Sequence, residues 1–403
     1  MAGDTFSPLS HGSTRSLPHG SELMFLPDRV PILLEFQTGQ IVPVAQNPHE
    51  PGEVLYSVAA FNSPGYVISQ VPAYQEMDAA DNLPLFSYGA VGWERDGFRS
   101  AVFQIDTERR QDLRLMQPEK VMRGIRDMKK KMPENRLRKH LEKCAVTYGC
   151  PAAKNFFIGR CEAPLPTSPQ CNAKCLGCIS HQNDNSISRC QDRIAFMPKP
   201  DEIAEIALAH LSNVKDGVVS FGQGCEGDPL LASKVIGPAI RRIRSVTQNG
   251  TINMNTNGSL PGVLESLFHD GLDAIRVSLN SVRRRCYDRY FNPAGYDFED
   301  VIASIDLAIG LGKPVAINYL NLTGFTDTAE EKAALMAFLS DHPIDQIQWR
   351  NLNIDPLRYW QQMAGVAPGS PPMGMFALVE QVKVMFPHLK HGYFNPSWEK
   401  IKR

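Results

Sequence analysis

The chain has 403 residues, 43% of them hydrophobic, which exceeds one comfortable core and suffices to bury two. Its 42 Lys and Arg against 43 Asp and Glu leave a formal net charge of −1, so a partner captured by global charge is excluded. No basic-then-apolar signal segment opens the sequence and no apolar run approaches the ~18 residues of a membrane span. Nine cysteines in that context point to a reducing, cytoplasmic setting rather than a disulfide framework.

Residues 1–25, rich in Ser, Gly, Pro and His, read as a mobile leader. From 26 to 118, short apolar runs at Val30 to Phe36, Gln40 to Ala45, Val54 to Ala60, Gly65 to Gln70 and Ala101 to Ile105 are broken by Pro, Gly and Asn. That pattern predicts a small β-rich domain. Residues 119–150 form a basic helical linker carrying Lys120, Arg123, Arg126, Lys129, Lys130, Lys131, Arg136, Arg138, Lys139 and Lys143 against few acids. Such a run is either a grip on a nucleic-acid backbone or a solvated helix face, and it lacks aromatics for base stacking.

The region 151–360 alternates strands and helices. Strands are predicted at about Phe156 to Cys161, Gly217 to Phe221, Thr251 to Asn255, Ala274 to Leu279, Val315 to Leu320 and Gln346 to Trp349, with helices at Leu231 to Val246, Val301 to Leu311 and Thr328 to Leu339. Six such units predict a parallel sheet with helices outside and the active groups at the C-terminal strand ends. Residues 361–403 form a C-terminal extension with an apolar helix at Phe376 to Phe386. Aromatics from Tyr393 to Trp398 follow it and read as packing.

Between the first two strands lies Cys171-Asn-Ala-Lys-Cys175-Leu-Gly-Cys178, a C-x3-C-x2-C triplet. Three thiolates leave one iron of a four-iron cluster free, whereas clusters built only for electron transfer usually take four. Zinc, with His181 as a further ligand, is the competing reading, but no second C-x2-C pair exists to support it. Cys144, Cys150 and Cys161 precede the triplet. Their spacings fit isolated buried cysteines better than an auxiliary cluster.

The strand ends carry polar and glycine-rich sequences. Gly222-Gln-Gly224-Cys-Glu226-Gly-Asp228-Pro follows the second strand and Asn255-Thr-Asn257-Gly the third. In the fourth, alternation places Arg276, Ser278 and Asn280 on one face, toward the barrel interior. The fifth runs into Asn321-Leu-Thr323-Gly324-Phe-Thr-Asp-Thr, and the sixth presents Gln348 and Arg350 on one face.

With these motifs the chain resembles the radical S-adenosylmethionine (radical SAM) superfamily over about half its length. The resemblance implies an α/β fold: a partial (β/α)6 TIM-type barrel, here with a small β-rich N-terminal domain and a short C-terminal extension. It implies a 4Fe-4S cluster on Cys171, Cys175 and Cys178, whose open iron chelates the amino and carboxylate groups of S-adenosylmethionine. The glycine turn looks like the family's Gly-Gly-Glu motif, which puts Gly224 and Glu226 or Asp228 at the cofactor's ammonium. Asn257, Arg276, Ser278, Asn280, Gly324 and Arg350 are the further cofactor contacts it suggests. One departure is Gly177, where the family commonly has an aromatic residue. The implied activity is reductive cleavage of S-adenosylmethionine to a 5′-deoxyadenosyl radical that takes hydrogen from an unidentified small-molecule, peptide or protein substrate. An oxygen-sensitive enzyme of this kind needs an electron donor such as flavodoxin or ferredoxin. Two alternatives stay open: an RNA-modifying radical SAM enzyme using residues 120–143, and a non-enzymatic protein in which the triplet holds a structural metal.

Overall fold

The computed structural model describes residues 1–397 except Asp4, Phe36, Ala79, Asp96, Arg110, Gln111 and Asn185; Trp398 of the aromatic tail and the residues after it lie outside the described residues. Ten short strands fill the N-terminal part. These are β1 (Arg15–Ser16), β2 (Glu22–Leu26), β3 (Arg29–Leu34), β4 (Ile41–Pro43), β5 (Ser57–Phe61), β6 (Tyr66–Ile68), β7 (Tyr74–Glu76), β8 (Gly89–Glu94), β9 (Gly97–Ser100) and β10 (Val102–Gln104). They pair into antiparallel sheets of order β1-β9-β8-β5-β2, β4-β3-β7 and β10-β6. Residues 1–25, expected as a mobile leader, contribute β1 and most of β2, and Val71 N–H donates to Met1 O at 2.9 Å.

Three helices lead into the main sheet: α1 (Pro118–Lys131), α2 (Arg136–Val146) and α3 (Pro151–Phe157). The sheet itself has seven strands in sequence order, all parallel: β11 (Glu162–Pro164), β12 (Val218–Phe221), β13 (Thr251–Thr256), β14 (Ala274–Leu279), β15 (Val315–Asn321), β16 (Gln346–Asn351) and β17 (Lys390–Gly392). The helices between and after them are α4 (Pro200–Leu211), α5 (Ser233–Val246), α6 (Pro261–Asp270), α7 (Arg284–Phe291), α8 (Phe298–Gly310), α9 (Ala329–Asp341), α10 (Pro356–Gln362) and α11 (Met375–Met385). The sheet curls as an open partial barrel, since β11 and β17 do not pair with each other.

The predicted first strand at Phe156 to Cys161 is displaced. Pro151 at the first helical position, followed by Ala152, Ala153 and Lys154, starts α3 instead, and β11 begins only after positive-φ residues Gly159 and Cys161 turn the chain. The other five predicted strands agree within two residues at either end. Every residue of β12 and β13 is buried, as expected of strands covered on both faces.

The N-terminal sheets dock at the C-terminal ends of β15 and β16. Asn351, the last residue of β16, accepts from Ile68 N–H and donates to Tyr66 O, both at 2.9 Å. Thr323 Oγ1 donates to Ser69 O at 2.9 Å. Below them Tyr74 Oη donates to buried Asp355 at 2.5 Å, and Arg29 stands 3.8 Å from the same carboxylate. No helix among the described residues is long and apolar enough to cross a membrane.

The Asp355 carboxylate also caps α10 by accepting Leu357 N–H at 2.9 Å. Tyr74→Phe removes a donor from a buried charge at this junction, at a cost of about 1–3 kcal/mol. Urea unfolding of the variant is expected to show a lower midpoint with an unchanged slope.

Candidate functional site

Beyond β11 the chain runs beside the glycine turn that follows β12. Gly227 N–H donates to Ser168 O at 2.6 Å and Asp228 N–H to Gln170 O at 2.9 Å. This approach requires glycine: a Cβ on Gly227 would lie 1.8 Å from Gln170 O, and one on Gly222, where φ is +77°, would lie 1.7 Å from Asn255 O. The cysteine loop is fastened on its other side to the end of α7. Lys174 N–H donates to Phe291 O at 2.9 Å, Leu176 N–H to Tyr290 O at 3.0 Å, and Ala294 N–H to Asn172 O at 2.8 Å. Gln182 Nε2 closes the loop by donating to Leu176 O and Cys178 O.

Cys171, Cys175 and Cys178 are thus presented from one loop pinned at both ends, and all three are partly accessible. Burial pushes the Cys171 thiol up to about 11, with nearby Asp228 adding to it. Burial, then the neighbouring Cys178 and Cys171, hold Cys175 well above the usual thiol range. Arg193 donates to Cys178 Sγ at 3.4 Å. Thiols that resist ionisation in each other's company suit a cationic iron–sulfur core that compensates their charge. A tetrahedral zinc site would draw its sulfurs to about 3.8 Å, from Zn–S bonds of about 2.3 Å. Among the described residues, the one set of three metal-capable side chains with ligand atoms within 4.8 Å of one another is His140, Cys144 and Cys225, not the triplet. His181 is exposed. The donor set and its spread therefore fit a cluster better than zinc.

Glu226 is 4% exposed and its carboxylate accepts four backbone N–H groups: Thr167 at 2.7 Å, Ser168 at 2.9 Å, Gly222 at 2.7 Å and Gln223 at 2.8 Å. Burial pushes it up to about 7 against the pull of those donors. Asp228 accepts from Leu230 N–H at 3.0 Å, Asn257 N–H at 2.7 Å and Thr256 Oγ1 at 2.9 Å, and burial pushes it up to about 6. Two carboxylate oxygens offer about four acceptor sites. The four N–H groups occupy those of Glu226, which thereby ties the start of the cysteine loop to the glycine turn.

The other expected contacts divide. Asn257 Nδ2 donates to Asn172 Oδ1 at 2.8 Å, which ties the end of β13 to the residue after Cys171. Gly224 is exposed beside Ile179 and Gln191. Arg276 and Ser278 are half-buried and face the barrel interior, as alternation implies, with Arg276 donating to Gln348 Oε1 at 2.9 Å and Asn318 donating to Ser278 Oγ at 3.4 Å. Asn280 is the most enclosed of the three. It lies past the end of β14, where alternation no longer sets direction, and is fully buried with Nδ2 aimed at Cys286 O and Tyr359 Oη, both at 3.3 Å. Gly324 is covered: a Cβ there would lie 1.8 Å from Gly3 N. Arg350 donates to Tyr393 O at 2.8 Å and lies 4.0 Å from that ring's centroid.

Two features were missed in the sequence. Gly177 lacks a side chain because α7 brings Tyr290 against it, so that a Cβ would stand 2.8 Å from Tyr290 Oη and 3.1 Å from Asn353 O. Asn395, from the C-terminal extension, enters the barrel, donating to Glu162 Oε1 at 2.7 Å and accepting from Gln348 at 2.9 Å and Arg276 at 3.2 Å. The suggested auxiliary trio does not assemble. Cys161 sits at the start of β11, where its carbonyl accepts Val218 N–H, whereas Cys144 meets Cys225 beyond the far end of β12. The basic stripe is partly spent. Arg136 pairs with Glu202 at 2.6 Å, buried Arg138 with Glu142, and Lys143 with Asp192 at 2.8 Å, leaving the exposed cations of α1.

Glu226→Gln turns an amide NH2 toward two backbone donors, each then unsatisfied at a cost of about 1–3 kcal/mol. The variant is expected to unfold at lower denaturant and to retain less iron after anaerobic reconstitution. Because the folded carboxyl holds its proton up to about 7 against an ordinary 4.5, its contribution is full at low pH and is lost as pH rises between those values. A pH series of unfolding midpoints should show a shallower fall over that window in the variant.

Residues 165–337 match the family model described as the radical SAM superfamily. No curated protein matches the chain. Among solved structures, SuiB of Streptococcus suis bound to S-adenosylmethionine is 17% identical, with a TM-score of 0.40 over 58% of this chain and 50% of that one. Native anSMEcpe with bound AdoMet is 18% identical, with a TM-score of 0.37 over 47% of this chain and 52% of that one. The chain thus spans about half the length of either. HydG of Carboxydothermus hydrogenoformans, an FeFe-hydrogenase maturase, is 12% identical, with a TM-score of 0.42 over 70% of this chain and 71% of that one. By this family match, the segment 165–337, which holds the cysteine loop and strands β12 to β15 of the curled parallel sheet, is a radical SAM domain.

Proposed function

We propose that this radical SAM enzyme cleaves S-adenosylmethionine reductively at a 4Fe-4S cluster on Cys171, Cys175 and Cys178 and abstracts hydrogen from a small-molecule, peptide or protein substrate bearing an anionic group. The observation that carries the reading is the thiol triplet itself, held open on a loop clamped between the glycine turn and α7. When bound, the cluster and S-adenosylmethionine supply an electron and the 5′-deoxyadenosyl radical that reacts with carbon. A donor such as flavodoxin or ferredoxin provides the electron.

The chain's own residues orient and enclose. Asn257, fixed to the cysteine loop through Asn172, and the exposed Gly224 peptide are the groups left to hold the cofactor's amino acid end, since Glu226 is saturated. Ser278 and Asn318 face the interior farther along, and Asn318 Oδ1 has no partner of its own. Arg276 Nε is likewise buried and unpartnered, and its guanidinium is pushed down to about 9 by burial and then by the charge of Arg350. Two neighbouring cations against the one carboxylate of Glu162 favour an anionic ligand group such as carboxylate or phosphate. The N-terminal sheets over β15 and β16 exclude water from that end.

Anaerobically reconstituted protein is expected to hold about four irons and, with dithionite and S-adenosylmethionine, to form 5′-deoxyadenosine, whereas Cys175→Ala forms none. Zinc in place of iron, or a cluster that never cleaves the cofactor, overturns the reading. For the anionic group, succinate and inorganic phosphate should raise the thermal midpoint of the wild type and not of Arg276→Gln. Equal shifts in both proteins reject that part alone.

A further inference from the structure

The His140, Cys144 and Cys225 side chains converge at a second place, outside the triplet. Their ligand atoms all lie within 4.8 Å of one another, Cys144 is 1% exposed and Cys225 5%. His140 and Cys144 are four residues apart on α2, which puts both on one helix face, and His140 Nε2 stands 3.5 Å from Cys144 Sγ. Cys225 comes from the glycine turn, the residue before Glu226, and its carbonyl accepts Ile194 N–H at 2.8 Å. Cys150, whose N–H donates to Cys144 O at 3.0 Å, lies alongside.

We propose that His140, Cys144 and Cys225 bind a borderline-soft divalent cation, zinc above all, clamping α2 to the glycine turn of the radical SAM core.

Three arguments favour a cation over plain packing. Two thiols and an imidazole are the ligand types that select zinc, and they are gathered from two elements far apart in sequence. The charge balance suits burial, because two thiolates neutralise the dication while the imidazole stays neutral. On binding, each thiol gives up its proton to solvent as the metal–sulfur bond forms, so no oxidant is required. The half-buried His140 side leaves room for a fourth donor, either water or Cys150 after a rotamer change. The position matters for the core, since fixing Cys225 also fixes the backbone of Glu226, whose carboxylate joins the cysteine loop to the glycine turn.

The test uses the full chain with Cys171→Ala, Cys175→Ala and Cys178→Ala, so that failure of the cluster chemistry and failure of this site are read separately. Cobalt(II), which takes zinc's place and reports geometry in its visible spectrum, is titrated in without oxygen. About one equivalent is expected, with the intense bands of tetrahedral coordination and a thiolate charge-transfer band, both abolished by added zinc. Cys144→Ser with Cys225→Ser should remove the charge-transfer band. If that double variant fails to fold, His140→Gln on the half-exposed rim of α2 decides, with binding weakened at least about tenfold. A pale octahedral cobalt spectrum, binding unchanged by these substitutions, or recovery of a Cys144–Cys225 disulfide in place of bound metal would overturn the site.

Discussion

One buried carboxylate carries the convergence of the site. Glu226 draws two N–H groups from the cysteine loop and two from the glycine turn, and none of the four has another acceptor as close. Each donor would be costly to leave bare in so buried a place. Removing the acid would not merely lose attraction; it would leave the two segments turning unsatisfied donors toward each other. Asp228 repeats the device one strand over, joining the glycine turn to the end of β13. The cysteine loop is therefore held through backbone groups, and its thiols stay available for ligation.

That arrangement explains what was readable in advance. The strands β12 and β15 were legible as short, mostly apolar runs, and β13, β14 and β16 by apolar residues alternating with polar ones. The first strand was not, because Phe156 and Phe157 are apolar for the sake of a helix face, and Glu162–Pro164 is too short to leave a pattern. β17, Lys-His-Gly, carries no strand signal and joins the sheet only because β16 offers it an edge. Within the site, the ligand types were visible from spacing alone. The partners of Glu226 and Asp228 were not, since backbone N–H groups belong to every residue and leave no mark in a sequence.

Alternation along a strand marks a second limit. It sets the direction of Arg276 and Ser278, both inside β14, and no longer does so at Asn280, just past its last hydrogen-bonded residue. The Gly177 departure has a similar cause. The space that a side chain at Gly177 would fill is taken from the other direction by Tyr290, whose carbonyl also fastens the cysteine loop to α7. A substitution that looked like a loss on one strand of chain is the counterpart of a ring supplied by another.

The C-terminal extension fills part of the barrel lumen. Asn395 occupies the lumen at the level of Glu162, Ser220 and Arg276, using both of its amide atoms on residues from opposite walls. Farther toward the C-terminal strand ends Asn318 donates to Ser278, and the N-terminal sheets bond to Asn351 at the end of β16. Arg276 is shared between the two levels: one nitrogen is spent on the plug, and Nε remains unpartnered. The lumen at this level thus holds an unpartnered guanidinium donor between the like charge of Arg350 and the opposite charge of Glu162. The same segment therefore bridges two opposite charges across the lumen, donating to Glu162 and accepting from Arg276.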